Sequence, residues 1–331
     1  MSAIPWQEAW QQALYGPGGF YRRPEGPAGH FRTSSHIPRF AEALVRLATD
    51  LAVALGRPDD FTVVDVGAGR GELLDLMAEL APSRWRLVGV DLVARPSGLA
   101  ARVDWLDQVP ARVTGLLMAH ELLDVVPCPV VAVDERGAVR LVLVDLETGA
   151  ESEGPSAGLD DLAWLARWWP LEEIGERAEI GRARDQLWQD LVSRLEAGGA
   201  LAVDYAHSAD DRGSGRWVGG SLVGHRRGRR VPPVPDGSCD LTAHVALDAC
   251  EAATASGVDL SVLTNQAESL AALGVVARLP DSAHATTDPT AYTSALKRAS
   301  EARELTDLDG LGGFGWLLQL KGVNPTARAP G

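Results

Sequence analysis

Hydrophobic residues recur at helical spacing from Ile37 to Leu55, where Phe40, Leu44, Leu47, Leu51 and Leu55 share one face of an amphipathic helix. Beyond it, strand-like and helix-like segments alternate. Phe61–Val66 is a short run rich in β-branched residues, and Glu72–Leu80 has helical character. Trp85–Val90 is a second strand ending at Asp91, with Val103–Leu106 and Gly115–Ala119 as third and fourth. Strands alternating with helices imply right-handed crossovers and a mainly parallel sheet covered on both faces. Pro129–Val133 and Ala138–Val144, parted by Asp134-Glu135-Arg136-Gly137, predict a hairpin added to that plan.

Elsewhere the pattern is weaker. Glu151–Gly158 reads as a loop, and Leu162 to Leu195 as helical with an interruption at Pro170. Gly199–Tyr205 restores the strand pattern. Ala206–Ser238 lacks periodicity, as functional lids or poorly ordered loops do. Asp240 is placed to cap a helix running to about Ser256, and Phe314–Leu320 predicts a closing strand. Near the start, Gly16, Pro17, Gly18 and Gly19 are followed by Pro24, Gly26, Pro27 and Gly29, which forbids regular helix. Phe20, Tyr21, Phe31 and Phe40 interleave with them, so an ordered segment draped over a core is expected rather than a linker.

Composition narrows the partners. With 46% hydrophobic and 23% charged residues the chain is globular rather than disordered. A net charge of −14 repels phosphate backbones, so nucleic acid is not expected as the main partner. The exception to the acidic surface is Arg226, Arg227, Arg229 and Arg230: a solvated loop, a lid gripping an acidic partner, or a nuclear-localisation patch. Three widely spaced cysteines, Cys128, Cys239 and Cys250, suit a reducing compartment, and the histidines show no ligand spacing with them, so no metal is expected. The start lacks a basic run before an apolar stretch, and no apolar run reaches the ~18 residues of a membrane span. A cytoplasmic location without membrane association is expected; the oligomeric state stays open.

The chemistry concentrates at Asp65-Val66-Gly67-Ala68-Gly69-Arg70-Gly71, a glycine-rich strand-to-helix turn. A dinucleotide fingerprint has its glycines at G-x-G-x-x-G, where backbone and helix N-terminus approach a pyrophosphate. Here the third glycine comes one position early and Asp65 sits two residues before the first. An acid facing the site suits a cationic ligand better than a pyrophosphate. S-adenosylmethionine carries a sulfonium, an ammonium and a ribose diol, and Asp91, about 20 residues beyond the turn, is placed to accept both ribose hydroxyls. The alternative is an α/β protein with a tight turn and a solvated acid.

Several motifs in order resemble the MidA-like methyltransferases, a family that includes the mitochondrial complex I assembly-factor methyltransferase and bacterial relatives. Gly19-Phe20-Tyr21 and Gly29-His30-Phe31-Arg32-Thr33-Ser34 are similar to its G-Y-Y and G-D-F-x-T-[AS] signatures. Ser35 to Ala41 falls where the family continues towards its F-G pair, and Asp65 to Gly71 matches its glycine motif. His120-Glu121-Leu122-Leu123-Asp124-Val125-Val126-Pro127 resembles N-E-[FL]-[FL]-D-A-[LV]-P, and Asp204-Tyr205-Ala206 parallels D-Y-G. Leu222–Arg230 and Pro235 to Val245 resemble the loop ending in D-[IL]-T-[AS]-x-V, and Thr264 to Leu270 resembles T-Q-x-x-F-L. The chain departs from the family pattern at His30, His36, His120 and Ala206.

The resemblance implies an α/β, class I methyltransferase-like Rossmann fold, with a mainly parallel sheet, an N-terminal wrap and helical insertions. One catalytic domain, 1–331, is expected: wrap and helix 1–58, cofactor-binding core 59–150, helical insertion 151–198, and the C-terminal half of the sheet 199–331. S-adenosylmethionine is the expected cofactor, bordered by Asp65, Gly67, Ala68, Gly69, Gly71, Asp91, Thr33 and His120. The acceptor is a protein side chain, with arginine foremost because the mitochondrial relative methylates one. A small metabolite, or an assembly factor that binds the cofactor without turnover, are the alternatives. Glu121, Asp124 and His120 are the catalytic candidates. On a helical turn Glu121 and Asp124 share one face and could hold a guanidinium between two carboxylates; otherwise Glu121 favours a helix N-terminus and Asp124 is solvated. His120 is a base, a cofactor contact or a capped polar residue. Trp164, Trp168 and Trp169 are expected to pack.

Overall fold

Thr62–Val66 is buried at every residue, the mark of a central strand in a sheet covered on both faces. The computed structural model describes residues 3–23, 33–282 and 284–323, residue 284 by its backbone only. The punctuated stretch 24–32, with His30 and the Gly29–Arg32 signature, lies outside the described residues. By internal contacts the chain forms two units. One comprises Thr33–His120, Arg194–Val203 and Val258–Gly331; the other comprises Met1–Arg32, Glu121–Ser193 and Asp204–Gly257.

The first unit is built on a seven-stranded sheet of β1 (Thr62–Val66), β2 (Arg86–Val90), β3 (Val103–Leu106), β4 (Val113–His120), β5 (Leu195–Asp204), β6 (Leu260–Asn265) and β7 (Gly315–Lys321). Its order is β6-β7-β5-β4-β1-β2-β3. Strands β5, β4, β1, β2 and β3 pair in parallel, and β6 with β7 antiparallel. The chain leaves β1 towards β3 on one side and returns to β4 on the other, so the topological switch point lies between β1 and β4. The helix Pro38–Ala54, started by proline at its first position, buries Phe40, Leu44, Leu47 and Leu51, each contributing about 1.5–3 kcal/mol. The helix Glu72–Leu80 follows the glycine turn.

The second unit holds an antiparallel sheet in which Ile4–Pro5, Val139–Val144, Val130–Val133 and Arg177–Glu179 are neighbours, with Glu151–Ser156 also on Val139–Val144. A smaller sheet joins Arg229–Val231, Val223–Arg226 and Asp240–Thr242. The helix Trp6–Tyr15 buries Trp6, Trp10 and Leu14 against Val130, Val142, Val144 and Leu241. Trp164 and Trp169 are buried with Val131, Ala178 and Ile180, as packing residues.

The hairpin of Val130–Val133 and Val139–Val144 forms, in the antiparallel sheet. Three expectations are corrected here. Glu151–Ser156 is a strand; its side chains are nearly all exposed, so its backbone bonds to Val139–Val144 and no apolar alternation announces it. The helix foreseen from Leu162 to Leu195 is two, Leu159–Trp168 and Arg182–Ser193, parted by the strand Arg177–Glu179. Ala206–Ser238 carries a short helix and a hairpin whose turn places Arg227 at a φ of +50°.

Candidate functional site

Gly67, Gly69 and Gly71 have φ of +75°, +60° and +79°, a left-handed backbone that a Cβ makes costly. A Cβ on Gly69 would meet no atom within 4 Å, so this glycine faces open space, whereas one on Gly71 would meet Leu99 at 2.7 Å. The amides of the turn are committed. Gly67 and Ala68 N–H donate to the Val90 carbonyl at 2.9 and 3.2 Å, and Gly71 N–H to the Ala68 carbonyl at 2.7 Å. Gly69 N–H donates to Asp91 Oδ2 at 2.8 Å. These four amides are therefore not offered to a phosphate.

The charges point the same way. Asp65 is 4% exposed, and burial first, then the charges of Asp91 and Glu72, push its pKa up to about 7. Burial also raises Asp91, against the N–H bonds it accepts from Val93 and Gly69. Its Oδ1 accepts Val93 N–H at 3.1 Å, so both oxygens are oriented while lone pairs remain for hydroxyl donors. Three acids, Asp65, Asp91 and Glu72, gather negative charge round one turn, which suits a cationic ligand.

Thr33 opens the short helical turn Ser34–His36, its N–H donating to His36 Nδ1 at 3.4 Å. The other ring nitrogen, His36 Nε2, lies 3.8 Å from Glu72 Oε1. His120 ends β4 with its ring 5.1 Å from that of Phe40. Burial, then the charge of His36, depresses the His120 pKa to about 3, so it is a neutral imidazole at pH 7. Asp65, Asp91 and His120 thus stand at the carboxyl ends of β1, β2 and β4, around the switch point where ligands of such sheets bind.

A second group of acids gathers in the other unit. Glu121 has a φ of +51°, a backbone strained by about 1–3 kcal/mol for a residue with a side chain. Residues 121–126 turn without forming the helical turn that the spacing predicted; Val126 N–H returns to the Leu123 carbonyl at 3.2 Å. The acids nevertheless meet. Burial, then Asp124 and Asp240, pushes Glu121 well above the carboxylate range. Asp124 is 2% exposed, not solvated, and burial lifts its pKa to about 6 against the pull of Arg184. Asp204 and Asp240 are driven well up by burial first and Asp124 second.

Backbone and tyrosine hold these acids in place. Asp204 Oδ2 accepts Leu123 and Asp124 N–H at 2.8 and 3.2 Å, and Asp240 accepts the Tyr21 hydroxyl at 3.0 Å. Asp240 therefore sits in a strand and caps no helix; the helix nearby is Leu247–Thr254. Arg184, 1% exposed, spends its guanidinium on the carbonyls of His244, Asp124 and Val126 at 2.8, 3.0 and 3.4 Å. Asp124 and Asp204 are hydrogen-bonded to each other through their carboxyl groups, and the raised Asp204 supplies the shared proton.

A family model described as "Putative S-adenosyl-L-methionine-dependent methyltransferase" matches residues 78–264, more than half of the chain. The chain belongs to this methyltransferase family. The solved structures agree. A Burkholderia thailandensis protein described as a "likely methyl transferase", bound to S-adenosylhomocysteine, is 28% identical with a TM-score of 0.78, over 97% of this chain and 89% of its own. A native crystal structure of a superfamily protein from the same organism is 28% identical with a TM-score of 0.76, over 97% and 88%. No curated protein matches. The methyltransferase uses S-adenosylmethionine as its cofactor, and the committed amides and acids of the glycine turn fit that ligand.

The glycine turn and the acids flanking it are the candidates that the sequence pattern singles out. It holds Asp204, Tyr205 and Asp240 in motifs without giving them a chemical role, and it leaves Arg184 unmarked. Aspartates far apart in the chain announce themselves only when burial brings their charges together. No helix among the described residues is long and apolar enough to cross a membrane.

Proposed function

We propose that the enzyme has a class I methyltransferase-like Rossmann fold and methylates a side-chain nitrogen of a polypeptide, with arginine the leading acceptor. The strand order supports the fold assignment. The observation that carries the acceptor is the buried cluster of Glu121, Asp124, Asp204 and Asp240, acids whose neighbouring guanidinium, Arg184, is spent on carbonyls. Carboxyls crowded in this way suit N–H donors with a positive charge.

Asp91 would hold the ribose hydroxyls of the cofactor and Asp65 its cationic end. The turn Gly67, Ala68, Gly69 and Gly71 would lie against it, with Thr33 and His120 at the border. When bound, S-adenosylmethionine supplies a methyl carbon on a sulfonium, an electrophile that needs no acid. Glu121 and Asp124 would grip the guanidinium, and its charge would draw them back into the ionised form. One of these carboxylates would then take the nitrogen's proton, the N–C bond forming as the methyl's C–S bond breaks and the thioether S-adenosylhomocysteine leaves; positioning would supply most of the remaining rate. His120, neutral and buried, orients rather than donates. The two units serve this one activity across 1–331. The net charge of −14 supports an acceptor other than nucleic acid.

Incubating the enzyme with cell extract and methyl-labelled S-adenosylmethionine tests the reading. Label is expected in protein, recovered as methylarginine on hydrolysis; label confined to small molecules would establish the metabolite alternative.

A further inference from the structure

In the unit that holds the acids, Tyr205-Ala206-His207 runs beside Ala243-His244-Val245. His207 N–H donates to the Val245 carbonyl at 3.1 Å, and Val245 N–H to the Tyr205 carbonyl at 2.8 Å. This sets the rings of His207 and His244 parallel, 6.4 Å apart with 5° between their planes. Trp217 closes the group, 4.5 Å from His244 and 5.8 Å from His207. Its segment is pinned: Arg177 N–H donates to the Val218 carbonyl at 2.8 Å, and the Glu179 carboxylate accepts the Ser221 hydroxyl at 2.7 Å and its N–H at 2.9 Å.

The partners fix both tautomers. Arg212 Nη1 lies 2.8 Å from His207 Nδ1; a guanidinium only donates, so Nδ1 accepts and Nε2 carries the proton. His244 Nδ1 lies 3.2 Å from the Ala206 carbonyl, which only accepts, so this nitrogen carries the proton and Nε2 keeps a lone pair. Burial depresses His207 to about 2 and His244 to about 4, so both rings are neutral at pH 7. His207 is 3% exposed, and its Nε2 and Trp217 Nε1 are buried without a hydrogen-bond partner among the described residues. Each such donor costs about 1–3 kcal/mol while it lacks an acceptor.

We propose that His207, Trp217 and His244 bind a peptide or carboxamide group, its carbonyl oxygen taking the two N–H donors and its N–H facing the His244 lone pair. A carboxylate suits the group less well, because the His244 lone pair opposes it and Arg212 is paired with Asp248 at 2.5 Å. The inference rests on this unit being the acceptor-binding side, and it names the polypeptide backbone as what is recognised beside the methylated group.

The probe is N-acetylglycine methylamide, titrated into the 15N-labelled full chain and read at the imidazole and indole nitrogens. The free protein is expected to show Nε2–H on His207 and Nδ1–H on His244. The probe is expected to shift the His207 and Trp217 N–H signals, with affinity about tenfold weaker in Trp217→Phe and His244→Phe. S-adenosylmethionine affinity, measured alongside, should stay unchanged in both variants. No shift in the wild type, opposite tautomers, an equal response to acetate, or unchanged probe affinity in both variants would overturn the site. An enzyme that binds the probe yet methylates no polypeptide overturns the proposed function alone. One that methylates polypeptides without these shifts overturns this site alone.

Discussion

Asp91 Oδ2 accepts the N–H of Gly69 at 2.8 Å, which ties the acid beyond the second strand to a glycine of the turn that faces open space. Asp91→Ala removes that tie together with the acceptor proposed for the ribose hydroxyls. S-adenosylmethionine affinity should fall by about a hundredfold, some 2–3 kcal/mol, as for hydrogen bonds to a charged group. Calorimetry checks this, and undiminished binding would remove Asp91 from the cofactor site.

Gly69→Val adds a branched side chain to a φ of +60° and fills the open side. The backbone strain costs about 1–2 kcal/mol of stability, while cofactor binding should be lost altogether. Thermal denaturation and calorimetry on the same variant separate the two effects.

Asp65 titrates at about 7 in the folded chain, against about 3.9 unfolded. The folded state binds the extra proton, so this group's contribution is fully present below about pH 4 and lost as pH rises through 7. Without cofactor, the melting temperature should drop across that window, and Asp65→Asn should flatten the portion between about pH 4 and 7. Asp124, at about 6, adds a loss of the same sign at lower pH. A cationic ligand reverses the shift of Asp65, so cofactor binding near pH 7 should release a proton, seen as a buffer-dependent enthalpy.

Glu121→Gln keeps the shape of the side chain and removes its capacity to take a proton. Methyl transfer should fall by at least about a hundredfold, the lower range for a lost acid–base group, with cofactor affinity unchanged. Equal loss of both would make Glu121 a structural residue.

Arg184→Leu withdraws the donor from three buried carbonyls and the cation that Asp124 and Asp204 face. Denaturant unfolding should show a loss of about 3 kcal/mol or more. A loss under 1 kcal/mol would mean that those carbonyls find other donors.

Periodic burial is what made much of the first unit readable. Glu72–Leu80 and Val103–Leu106 have the bounds their patterns predict, because each packs a regular apolar face. The edge strand Leu260–Asn265 leaves Leu260, Val262 and Leu263 exposed and went unread, as did Pro289–Thr306, which buries Ala299, Glu301, Ala302 and Leu305 along 18 residues. Elements held by backbone hydrogen bonds or by one short apolar stripe leave little periodic signal.

The local sequence by itself determined the parallel-sheet class, the left-handed glycine turn and the acids flanking it, because glycine spacing and strand ends are short-range properties. Only the tertiary structure decided that four of the turn's amides are spent and are not offered to a phosphate. It also decided that Glu121, Asp124, Asp204 and Asp240 share buried ground, and which nitrogen of His207 and His244 carries the proton. Those properties depend on desolvation and on hydrogen-bond partners brought together from distant parts of the chain, and no local pattern specifies them.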